Sequence, residues 1–81
     1  MKMRTKEKRL VAAFYTTHDA MAFEDFCRSN GIAGRLIPLP REISAGCGLA
    51  WCEEDPDQEE RLRADLQAAG ITPQLIQTVI I

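Results

Sequence analysis

Asn30-Gly31 and Gly70 each close an amphipathic stretch, and short apolar runs stand on both sides of each one. That punctuation limits the fold to few choices. Leu10 to Tyr15 is mostly apolar, ends at two threonines and reads as a buried strand. Thr16 with Asp19 three residues later resembles a capping box, so a helix starts near Thr17 and carries Ala20, Phe23 and Cys27 at helical spacing. Arg35 to Leu39 and Gly48 to Glu53 read as the next two strands, joined by a Pro40–Gly46 loop. An acidic segment then opens a second helix, from about Asp55 to Ala69, with Pro56 in its first turn and Leu62, Leu66 and Ala69 as its stripe. Gln74 to Ile81 supplies a β-branched last strand. The order βαββαβ predicts an α+β, ferredoxin-like fold: a four-stranded antiparallel sheet with two helices on one face.

At 81 residues the chain is one small domain, read as residues 10–81 behind a basic arm at 1–9 that frays. The arm holds five of the ten basic residues, and residues 53–60 hold six of the twelve acids. An acidic body and strands without an aromatic platform argue against nucleic acid as the main partner. No apolar run approaches the roughly 20 residues that span a bilayer, and the charged N-terminus lacks the apolar stretch of a signal peptide. With three cysteines, an odd number, these features point to a reducing cytoplasm.

The chemistry concentrates around Cys47. It stands between Gly46 and Gly48, with Ser44 and Ala45 just upstream and Pro38 and Pro40 stiffening the approach. Little bulk surrounds the sulfur. In a βαββαβ topology the end of strand one, the start of helix one, the Pro40–Gly46 loop and the start of strand three share one edge. Cys47 therefore meets Thr16, Thr17 and His18. It shares the parity of Leu49 and Trp51, placed on the helix-covered face, so the thiol leans toward the helix N-terminus. That end favours anions and with them a thiolate.

His18 can take a proton or pair with the thiolate. Thr16, Thr17, Arg41, Ser44, Gly46 and Gly48 complete a binding surface, in which Ser44 suits a turn and Arg41 an anion or an acidic partner. Arg35 reads as ordinary surface charge. Cys52 lies about 17 Å along strand three from Cys47, too far for a disulfide, and Cys27 reads as core. Three cysteines and one histidine set at opposed edges do not make a closed zinc site, so no metal and no cofactor is expected.

Gly31 to Pro38, the run Pro-Arg-Glu-Ile-Ser-Ala-Gly-Cys-Gly-Leu-Ala at 40–50 and Phe14-Tyr15-Thr16-Thr17-His18-Asp19-Ala20 together resemble a family of short bacterial domains described as selenium- or sulfur-carrier-like. The likeness runs from about Leu10 to the C-terminus, and it implies the same ferredoxin-like fold. It also implies that Cys47 bears sulfur or selenium as a persulfide or perselenide and exchanges it with donor and acceptor proteins, a carrier rather than a stand-alone enzyme. The chain lacks the Cys-Pro helix start of other small sulfur-relay carriers. The alternative is a non-enzymatic module that binds a small anion or a protein, with Cys47 chosen for its size. A sheet covered on one face only, carrying Gly48, Ala50 and Cys52 on the other, and a last strand without charge predict a homodimer.

Overall fold

The computed structural model describes residues 7–43 and 48–80. In chain order the elements are β1 (Lys8–Ala13), α1 (Thr17–Ser29), β2 (Arg35–Pro38), β3 (Leu49–Glu53), α2 (Glu59–Ala69) and β4 (Leu75–Ile80). The four strands form one sheet in the order β2-β3-β1-β4, antiparallel throughout. This is the ferredoxin-like arrangement that the sequence predicts. Of the expected basic arm, residues 1–6 lie outside the described residues, while Lys8 and Arg9 stand in β1.

Local chemistry fixes the helix ends. The Thr16 hydroxyl accepts a hydrogen bond from the Asp19 backbone N–H at 3.1 Å, satisfying one of the orphan donors of the first turn. At the other end Gly31 takes φ +67°, which lets the Ile32 N–H reach back to the Cys27 carbonyl at 2.9 Å. The Ile71 N–H closes α2 in the same way on the Leu66 carbonyl at 3.0 Å. The start of α2 differs from expectation. The Asp55 carboxylate accepts from the Asp57 N–H at 2.9 Å, and the Gln58 N–H bonds the Asp55 carbonyl. Pro56 therefore sits in a turn ahead of the helix, and α2 begins four residues late, at Glu59.

Both helices cover one face. Ala20, Phe23 and Cys27 of α1 and Leu62 and Leu66 of α2 pack on Leu10, Ala12 and Trp51 of the sheet and on Phe14 just beyond β1. Phe23 is the hub of this layer, with its ring 5.2 Å from Trp51, edge to face, and 5.9 Å from Phe14.

The other face is not bare, and this corrects the expectation of an open one. Val11 and Ala13 of β1, Ala50 and Cys52 of β3 and Val79 of β4 are buried there together with Ile43. The Leu39 N–H prolongs the β2–β3 pairing by bonding the Gly48 carbonyl, and a turn closed from Ile43 to Pro40 at 3.0 Å follows. That turn seats Ile43 in the apolar cluster of this face, with Leu39, Ile37 and Leu75 around it. The chain thus builds a second, thinner core behind the sheet, which a single-layer reading of strand parity overlooks.

Candidate functional site

The register gathers one edge as the topology requires. Ala13 at the end of β1 faces both Ala50 and Leu75, and Pro38 at the end of β2 faces Leu49. Phe14 to Thr16 then carry the chain straight into α1. The exits of β1 and β2 and the beginnings of α1, β3 and β4 therefore meet here. Cys47, Ser44 and Gly46 lie outside the described residues, but both of their flanks, Ile43 and Gly48, are on this edge or behind it.

Thr16, Thr17 and His18 are exposed at the start of α1. The Thr16 hydroxyl is occupied as the cap, and Asp19 adds an acid to the first turn, which complements the helix dipole from within the chain. Arg41 is exposed at the crest of the Pro40–Ile43 turn. Gly48 is exposed, and a β-carbon built on it would touch nothing within 4 Å. Its lack of a side chain leaves space free at the edge and is not forced by packing in the fold.

The other two thiols are both buried, one on each side of the sheet. Cys27 is fully buried on α1, and burial pushes its pKa up to about 12, with Asp65 and Glu53 adding to the rise. Cys52 is 7% exposed; burial raises it too, and the guanidiniums of Arg9 and Arg35 work against that rise. Both are free. Thiolate is the reactive form, so neither is poised for nucleophilic chemistry at neutral pH.

The far edge holds polar groups that sequence reasoning missed. Glu53, 5% exposed at the end of β3, accepts a hydrogen bond from the Trp51 indole N–H at 3.1 Å. Burial raises its carboxyl; the Trp51 bond pulls the other way, and Asp65 raises it further. Oδ2 of Asp65, on α2, is buried without a hydrogen-bond partner among the described residues. The one signal available in the sequence was the place of Asp65, one residue before Leu66 on the flank of the apolar stripe. Among the described residues no group of three or more His, Cys, Asp or Glu side chains could hold a metal ion, and no helix is long and apolar enough to cross a membrane.

No curated protein and no solved structure matches the chain significantly. A family profile does, over residues 9–77, which takes in all six elements except the ends of β1 and β4. Its span includes Cys47 and the edge formed by its described neighbours, and the chain belongs to the family described as "Putative Se/S carrier protein-like".

Proposed function

We propose that Cys47 is the cargo-bearing thiol of a sulfur or selenium carrier. The observation that carries this reading is the burial of the other two cysteines. Cys27 and Cys52 are buried in the two cores with raised pKa values, which leaves Cys47 as the thiol for chemistry. The family's description as a selenium- or sulfur-carrier-like group supports sulfur or selenium as the cargo. The transfer needs no external oxidant. The Cys47 thiolate attacks the terminal sulfur of a donor protein's persulfide, the S–S bond of the donor breaks, and the donor leaves as a thiolate while Cys47 becomes the persulfide. Passing the sulfur on repeats the exchange with an acceptor thiolate.

The start of α1 supports this chemistry because the backbone N–H groups of a helix's first turn favour a thiolate or a persulfide anion. His18 supplies a proton acceptor beside it, and Arg41, Thr17 and Gly48, with Ser44 and Gly46, form the surface that donor and acceptor proteins read. The setting is the cytoplasm, where thiols stay reduced. Competitive alkylation of the folded protein at pH 7 tests the assignment, with peptide masses read at each cysteine. Cys47 labels first under this reading. First labelling of Cys27 or Cys52 contradicts it.

The second reading, a module that binds a small anion or a protein with Cys47 as a merely small residue, draws on the exposure of Thr16, Thr17 and His18 at that same helix start. Cys47→Ser separates the two: it abolishes transfer in the carrier and leaves binding intact in the module.

A further inference from the structure

A cleft of about 330 Å³ opens at the opposite edge, lined by Arg9, Ala33, Gly34, Arg35, Cys52, Glu53 and Glu54. Its construction follows from the register. Cys52 pairs with Arg35 on one side and with Val11 on the other, and Arg9 shares the parity of Val11. Arg9, Cys52 and Arg35 therefore project from three neighbouring strands to the same face. The two outer strands lie about 10 Å apart, within reach of two guanidiniums that converge on one ligand. Their opposing effect on the Cys52 thiol agrees with this placement. Arg35 is exposed and has no ion-pair partner among the described residues, and Arg9 holds only Glu7, at 3.6 Å.

The lining brings the two guanidiniums and one exposed carboxylate, Glu54, together, whereas the Glu53 side chain has the parity of Trp51 and turns to the helix side to meet its indole N–H. A plain anion entering the cleft meets Glu54, and a plain cation meets Arg9 and Arg35. A ligand bearing both charges satisfies both signs. The volume stands at the bottom of the range of about 300–1,000 Å³ typical of small-molecule sites, so the ligand is small. We infer that this cleft binds a zwitterionic α-amino acid with a short side chain. Its carboxylate lies in the fork of Arg35 with Arg9 beside it, its ammonium faces the exposed Glu54, and its side chain points to the Cys52 thiol on the floor.

The test is a titration of the ¹⁵N-labelled full chain with L-serine at pH 7 and constant ionic strength, with acetate and ethanolamine as half-ligands. Saturable shifts are expected at the amides of Gly34, Arg35, Cys52 and Glu54. L-serine should bind about tenfold or more tightly than either half-ligand, and Arg35→Gln should weaken it by a similar factor while the rest of the spectrum stays unchanged. Arg9→Gln is the second variant, with the same direction. Cys47→Ser should bind as the wild type does, so this site and the Cys47 reading stand or fall separately. Absence of saturable shifts, shifts confined to other residues, acetate or ethanolamine binding as tightly as L-serine, or unchanged binding in both arginine variants would overturn the inference. So would loss of binding in Cys47→Ser.

Discussion

Gly34 lies against the Trp51 ring so closely that a β-carbon on it would sit 2.6 Å from the indole Cζ2. With φ at +138°, its backbone also occupies a region that side chains rarely adopt. The link between α1 and β2 thus presses glycine backbone onto the ring that closes the helix-side core. Gly34→Ala is predicted to displace Trp51 and to lower stability by about 1–3 kcal/mol, the usual range for overpacking. Trp51 is the chain's one tryptophan, so its fluorescence in a urea titration reads both effects. An unchanged midpoint would contradict the contact.

Glu53 should make stability depend on pH in a defined direction. Burial raises its folded-state pKa above the ordinary value of 4.5. The folded state therefore holds this proton more tightly than the unfolded state does. The contribution is fully present below 4.5 and is lost as pH rises through the folded value. Glu53→Gln keeps an oxygen for the Trp51 N–H and removes the buried charge. It should be more stable than the wild type at pH 7, with the difference closing toward pH 4. Urea midpoints of both proteins across that range check it, and a difference that widens on acidification would be the wrong sign.

Ile43 tests the second core. It is 4% exposed and joins the cluster behind the sheet. Ile43→Ala should cost about 2–4 kcal/mol, as for other buried aliphatic truncations. A loss below about 0.5 kcal/mol, the level of a surface substitution, would mean that the turn does not cover that face. Urea denaturation gives the number.

How far the sequence reached depends on which interactions are local. Thr16 with Asp19, and Gly31 and Gly70 as stops, are contacts within one helical turn, and short-range pattern exposes them. The faces of β3 followed from parity, which put Trp51 toward the helices. The second core did not follow, because Ile43 reaches the sheet from a turn with no periodicity to announce it. The start of α2 was misplaced because Asp55 spends its carboxylate on the Asp57 N–H, an alternative to helix that acidic residues offer. The facing of Glu53 and Asp65 joins β3 to α2, a relation between elements that no spacing along the chain encodes. For the candidate site, topology put Thr16, His18, Arg41 and Gly48 at or beside one edge. Cys27 reads as core from its helical spacing and is buried there, whereas the burial of Cys52 behind the sheet depends on the same second core that the pattern does not announce.

Assembly is predicted to run through β4. This strand forms one border of the sheet, carries no charged side chain from Leu75 to Ile80, and exposes Ile80 by 55%. Such an edge invites pairing with a second copy. Ile43 covers apolar surface on the other sheet face, so the β4 edge is favoured over that face. Sedimentation equilibrium at micromolar concentration should return twice the chain mass of 9.1 kDa, and Thr78→Lys should return the single-chain mass. A wild-type monomer under those conditions would contradict the prediction.

If Cys47 carries the cargo, sulfur loading must end on its thiol. The wild-type chain and Cys47→Ser are incubated with a cysteine desulfurase and L-cysteine, and intact and peptide masses are read without reductant. One added sulfur is expected on the wild type, mapped to Cys47 and released by reductant, with none on Cys47→Ser. Equal loading of the two proteins, or sulfur mapped to Cys27 or Cys52, would contradict it.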